Sequence, residues 1–198
     1  RRLCAAVVMD LPIFLGRFFY MNKSTKLLVY TAVLTAFATI ANIYTIPING
    51  GGNFISLVYI PCFFAGIFLG PVLGFGVGVM ADVLGMLINP LGPWLPLVTL
   101  ASGLIGFIPG VIFKYVGIKS DLVKLFISIA LCLIVCTCGL NTLATFLAYS
   151  KGKTFWAYLA VRIPTQLLVA GINFVLIGAL IKVKPLVRMM RFAKGDKA

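Results

Sequence analysis

Six apolar runs, near residues 27–46, 54–69, 72–88, 95–115, 123–148 and 156–181, follow one another with connections too short to fold by themselves. A helix needs about 20 apolar residues to cross the hydrocarbon of a bilayer, and the runs approach or exceed that length. The expectation is an all-α integral membrane protein with six transmembrane helices. Composition agrees: 62% of the 198 residues are hydrophobic, against roughly 45–50% in a soluble domain, and mean hydropathy is +1.12. The second run is short and contains Pro61, and only Gly70-Pro71 parts it from the third, so these two should form a tight hairpin.

The chain carries 17 Lys and Arg against four Asp, with no Glu and no His. In a soluble protein a charge of +13 would suggest nucleic acid. Here it reports topology, because basic residues collect in loops kept on the cytoplasmic side. Lys23 and Lys26 precede the first run, Lys114, Lys119 and Lys124 join the fourth to the fifth, and Lys182, Lys184, Arg188, Arg191, Lys194 and Lys197 follow the sixth. An even number of crossings places these groups together, with Lys151 and Lys153 opposite, so both termini are expected in the cytoplasm. Residues 1–20 read as an upstream or expression-derived extension, with an interfacial helix as the alternative. Residues 21–198 then form a single six-helix membrane domain, with Met21-Asn22-Lys23-Ser24-Thr25-Lys26 as an ordinary start.

With orientation assigned, depth follows from the rise of about 1.5 Å per helical residue. Asn42, Asp82, Asn141 and Arg162 lie four, six, seven and six residues in from the outer ends, with Thr99, Ser102 and Gln166 at similar depth or slightly deeper. A carboxylate at a helix centre costs roughly 2.5–3.5 kcal/mol on insertion scales, so an intramembrane Asp is usually functional. Two readings stand side by side: Asp82 and Arg162 pair with each other, or at least one of them contacts a solute. Aromatic walls with a few aimed polar groups are the usual form of a small-molecule site. Lys151 and Lys153 at the mouth read as part of a solvated loop, or as charges that concentrate an anionic solute there.

Other chemistries find little support. Gly152-Lys153-Thr154 imitates the end of a phosphate-binding loop, but Leu147 stands where that motif needs glycine. Without His or Glu, a membrane enzyme lacks its usual acids and bases, so no catalytic residue and no cofactor is expected. Cys4, Cys62, Cys132, Cys136 and Cys138 lie mostly within apolar runs and read as small packing residues, with no metal site assigned. Gly70, Gly74 and Gly78 repeat every four residues, as do Gly106 with Gly110 and Ala32 with Ala36. Such small-xxx-small rows let helices approach closely in lipid.

Gly70-Pro71, Gly74, Gly78, Ala81-Asp82, Gly85, Pro90, Gly92, Pro96, Thr99-Leu100, Gly106 and Gly110 together resemble the signature of the folate-type S components of energy-coupling factor (ECF) vitamin transporters. The resemblance extends to the basic start, the six-run length and the Ala32-xxx-Ala36 patch. It implies a substrate-binding subunit of a bacterial cell membrane that captures a vitamin on the outer face. That subunit would deliver the vitamin inward by reorienting against a membrane-embedded coupling subunit served by two ATPase subunits. By the same resemblance, Ala32 and Ala36 contact the coupling subunit, and the loop from Pro47 to Asn53 acts as a lid, with Gly50-Gly51-Gly52 permitting its movement.

An anionic ligand with a flat ring suits Arg162, Trp94 and the basic mouth, so folate or a reduced folate is expected, with pantothenate the nearest rival. Asp82, Asn141 and Gln166 are assigned to the heterocycle and Trp94 to stacking, with Asn53, at the end of the lid, as a further substrate-binding residue. Arg162 is assigned to a ligand carboxylate or to bracing Asp82. The alternative of a different class is a self-sufficient secondary transporter coupled to an ion gradient, for which Asp82 is the one good titrating carboxylate.

Overall fold

The structure, a computed structural model, describes residues 23–48, 53–55, 57–90, 93–118, 120–149 and 155–183. Residues 1–22, the glycines at 50–52, and Lys151 and Lys153 lie outside the described residues, as do the side chains of residues 46–48 and 53–55. Helix α1 (Lys23–Ile43) leads into strands β1 (Ile46–Ile48) and β2 (Asn53–Ile55). Helix α2 (Tyr59–Phe64) continues as a π-helical turn, π1 (Ala65–Leu69), and is followed by α3 (Pro71–Ile88) and α4 (Pro96–Tyr115). A single rod is then made of α5 (Asp121–Cys132), the π-helical stretch π2 (Leu133–Asn141) and α6 (Thr142–Tyr149); α7 (Phe155–Ile181) closes the bundle.

Every long element is helical, as the apolar runs require. Among the described residues five helices are long and apolar enough to cross a membrane: Thr25–Ile43, Pro71–Ile88, Pro96–Tyr115, Asp121–Ala148 and Arg162–Ile181. The second run yields a shorter apolar helix, Tyr59–Leu69. Its reach falls short because the residues before it are extended: β1 and β2 pair antiparallel, with Ile46 opposite Ile55 and Ile48 opposite Asn53. That small ladder lies in the segment expected to be a lid.

Glycine sets how closely the central helices approach. A side chain on Gly74 would run into the carbonyl of Gly106, and one on Gly106 into the carbonyl of Gly74. Gly78 is confined in the same way by the backbone of Ser102. Backbone against backbone in lipid gains dispersion contact that larger residues would forbid, and α3 packs on α4 more extensively than any other pair of helices. Gly70 departs from the expected row. Its φ of 101° places it in the left-handed region and nothing would meet its side chain, so it makes the turn between π1 and α3. The packing role on that side falls to Gly66, which is wedged against Gly106 and Gly110.

The core includes Phe63, Val77, Ala81, Ala101, Leu125, Cys132, Cys136 and Ile177, all shut from solvent. Cys62, Cys132, Cys136 and Cys138 are free thiols. The rod α5–π2–α6 runs alongside α7, where Phe126 meets Phe174 edge to face at 6.1 Å, a favoured aromatic geometry. The outward faces are apolar, among them Leu28, Phe37, Val72 and Leu87, as lipid-facing helices must be.

Candidate functional site

Asp82 is buried on α3 and is held by two hydroxyls of α4. Thr99 donates to its Oδ2 at 2.7 Å and Ser102 to its Oδ1 at 3.3 Å. Thr99 in turn accepts the indole N–H of Trp94 at 3.0 Å, so one hydroxyl links the carboxylate to the aromatic side chain ahead of α4. An ionised carboxylate offers about four lone-pair positions. Two of these directions serve the hydroxyls, which leaves the carboxylate able to accept further donors.

A cavity of about 220 Å³ opens beside this carboxylate, lined by Asp82, Asn42, Asn89, Asn141, Arg162 and Gln166 with Thr45, Tyr59, Gly85, Ser102 and Thr137 among its other walls. Five spans contribute. From α1 comes Asn42, whose Nδ2 donates to the carbonyl of Ala81 at 3.2 Å. That side chain lies over Gly85, where a Cβ would fall 2.6 Å from Nδ2, so the glycine is what lets the amide reach the cavity. Asn89 ends α3, and its Nδ2 donates to the Ile43 carbonyl at 3.4 Å, tying α1 to the same rim.

The opposite wall is built by π2 and α7. Asn141, the last residue of π2, has a buried Oδ1 with no hydrogen-bond partner, an acceptor whose desolvation costs about 1–3 kcal/mol unless a donor meets it. Arg162 is buried on α7, and its Nη1 donates to Thr142 Oγ1 at 3.4 Å. On the floor the Tyr59 hydroxyl and Thr137 Oγ1 share a hydrogen bond of 2.8 Å. The cavity is smaller than the roughly 300–1,000 Å³ common for whole drug-sized ligands. It has room for one ring system, with a longer molecule extending to the mouth.

Asp82, Asn141, Arg162 and Gln166, expected at one depth, thus face one cavity. Trp94 is 60% exposed and reaches the site through Thr99; its side chain is not among the cavity walls. Asn53 lies in β2 with its side chain outside the described atoms. Ala32 and Ala36 are exposed on α1, away from the cavity. Tyr59, Thr137, Asn89 and Thr45 join the walls without having been singled out. Tyrosine and threonine within apolar runs look like packing residues, and Asn89 passes for the start of the Pro-rich connection Asn89-Pro90-Leu91-Gly92-Pro93-Trp94-Leu95-Pro96.

The family model described as ECF-type riboflavin transporter, S component, matches residues 22–191. The chain belongs to the S-component family of ECF-type transporters. This S component is similar to the folate transporter FolT of Clostridium novyi (strain NT), at 30% identity over 142 residues that span 70% of the chain and 79% of the relative. Its fold is also that of the crystal structure of FolT bound with folic acid, with a TM-score of 0.66 over 76% of this chain and 91% of that one, at 23% sequence identity. It is therefore a multi-pass membrane protein of a transporter family and not of an enzyme family.

Proposed function

We propose that this S component captures folate, or a reduced folate, from outside a bacterial cell. The observation that carries the reading is the cavity that sets a buried carboxylate, Asp82, and a buried guanidinium, Arg162, among amide side chains from separate spans. Each charge is expensive in hydrocarbon, and a solute with complementary edges offsets that expense. A pterin ring presents two adjacent N–H donors, the ring N3–H and the 2-amino group, which match the two oxygens of one carboxylate. On its other edge lie a carbonyl and a ring nitrogen, acceptors suited to the donor fork of Arg162, which serves equally for a carboxylate of the tail. Asn141 and Gln166 complete the hydrogen bonding, and Trp94 closes over the ring from the mouth.

Riboflavin is the second reading, favoured by the description of the family model. Its ring offers a single N–H between two carbonyls, so a carboxylate approaching that edge gains one donor and meets two repelling acceptors. That chemistry places folate ahead, and the similarity to the folate transporter of Clostridium novyi points the same way.

In this reading the short helix Tyr59–Leu69, extended by the residues before it, makes the second of six crossings. Lys114, Lys124 and Lys182 mark the cytoplasmic side together with both termini. The exposed Ala32 and Ala36 face of α1 receives the coupling subunit, against which the S component reorients while two ATPase subunits supply the energy. Asn53, in the hairpin between α1 and α2, approaches the ligand from the lid. Isothermal titration of the detergent-purified protein with folate, riboflavin and pantothenate tests the assignment. Saturable heat with folate at nanomolar affinity, about −12 kcal/mol, is expected. Silence with folate and saturation by another vitamin would overturn it.

A further inference from the structure

Helix π2 holds five-residue backbone steps over nine residues, Leu133–Asn141, and it packs beside α7, which carries Arg162. π-helical geometry is rare and occurs mostly as single turns, often at functional sites. Its consequence here is one of direction. In an α-helix, residues five apart point about 140° away from each other; with i to i+5 pairing they stack on one face. Thr137 and Thr142 are five apart, and Thr142 Oγ1 donates to the carbonyl of Thr137 at 2.9 Å. With its proton spent there, the Thr142 oxygen keeps its lone pairs for a donor, and Arg162 Nη1 lies 3.4 Å away. Thr142 is wholly buried and Arg162 nearly so, which makes the contact one largely shielded from water. The far end of the same chain of contacts is Tyr59, whose hydroxyl meets Thr137 Oγ1 on the cavity floor.

We propose that Thr142 is a positioning residue for vitamin binding, aiming the Arg162 guanidinium into the cavity through a hydroxyl that the π-helical stretch turns towards it. The inference rests on the reading of this cavity as the vitamin site. The 3.4 Å separation is at the long end for a hydrogen bond, so Thr142 directs Arg162 and does not lock it. Its loss should weaken binding moderately and leave the fold in place.

The test is a double-mutant cycle on the full-length protein in detergent, titrated with folate and with riboflavin. Thr142→Val is expected to weaken binding roughly five- to tenfold, while Thr142→Ser, which keeps the hydroxyl, should restore affinity to within about twofold of wild type. In an Arg162→Lys background the Thr142→Val change should shift affinity by less than about twofold, since the group it aims is gone. Equal losses in both backgrounds, or no loss in the wild-type background, would overturn the proposal. If Thr142→Val does not fold, Thr142→Cys keeps the volume with a weaker hydrogen bond, and affinity equal to that of Thr142→Ser would refute the role just as well. Wild-type protein that binds riboflavin and not folate defeats the folate reading alone, because the cycle is then read with riboflavin. Wild-type protein that binds neither removes both.

Discussion

Asp82→Asn separates the two vitamin readings, because it changes hydrogen-bond polarity without changing shape. Thr99 and Ser102 accommodate it: the retained carbonyl oxygen keeps one hydroxyl donor, and the other hydroxyl rotates to accept from the new amide. The ligand-free protein should therefore melt close to wild type. A pterin cannot adapt in that way. Its two donors faced two oxygens; now one faces an oxygen without charge and the other faces an N–H. Hydrogen bonds to charged groups contribute about 1.5–3 kcal/mol each, and a buried donor left without a partner costs about 1–3 kcal/mol. Allowing for partial relaxation, we expect a loss of about 3–4 kcal/mol, or roughly a hundred- to a thousandfold in affinity. Riboflavin should move the other way, because its N–H and adjacent carbonyl pair with the oxygen and N–H of an amide. Titration calorimetry of the two proteins with both vitamins reads the result. Folate affinity within about threefold of wild type would refute the assignment of Asp82 to the donor edge of the ring.

Two further predictions concern the bundle and the opposite wall. Gly106→Ala drives a methyl group into the Gly74 carbonyl, whereas at Gly76 nothing stands within 4 Å. The first change should cost about 1–3 kcal/mol by overpacking, lowering the detergent melting temperature by several degrees, while Gly76→Ala should leave it unchanged or raise it; equal effects would show that α3 and α4 are not in the contact described. Asn141→Leu removes the unpartnered buried Oδ1, so it should hold or raise ligand-free thermal stability while weakening vitamin binding at least tenfold. A variant that loses stability but binds normally would assign Asn141 to the fold and not to the site.

Much of this arrangement is legible in the sequence, for reasons that differ from residue to residue. The helical rise is nearly constant, so counting inward from loop ends placed Asn42, Asp82, Asn141, Arg162 and Gln166 at one level, and they line one cavity. What counting cannot supply is azimuth. Whether a side chain at a given depth points inward depends on the local turn, and π2 changes that turn over nine residues with no composition to mark it. Thr137 and Thr142 were hidden for this reason. Gly70 failed in the opposite sense: four-residue spacing suggested a packing row, yet the helix does not extend back through it, and its positive φ makes it a hinge between rods. The hairpin of β1 and β2 lies in a stretch too short for its pattern of alternation to be distinguished from a loop.

The site and the packing are in the end one arrangement. Gly78 sits one helical turn before Asp82, and the backbone it touches is that of Ser102, the residue whose hydroxyl reaches the carboxylate. Backbone contact at that level brings α4 near enough for the short side chains of Thr99 and Ser102 to span the gap. A larger residue at position 78 would meet the Ser102 backbone and push the two helices apart, lengthening the reach asked of both hydroxyls. The glycines therefore act on binding as well as on stability: they set the distance at which two neutral hydroxyls hold and orient the carboxyl group of Asp82 inside a membrane. The same logic holds at Gly85, where the missing side chain is the space that the Asn42 amide occupies. Small residues in α3 thus determine which polar groups of α1 and α4 reach the cavity, which is why a row typical of lipid packing runs directly into the carboxyl group of Asp82.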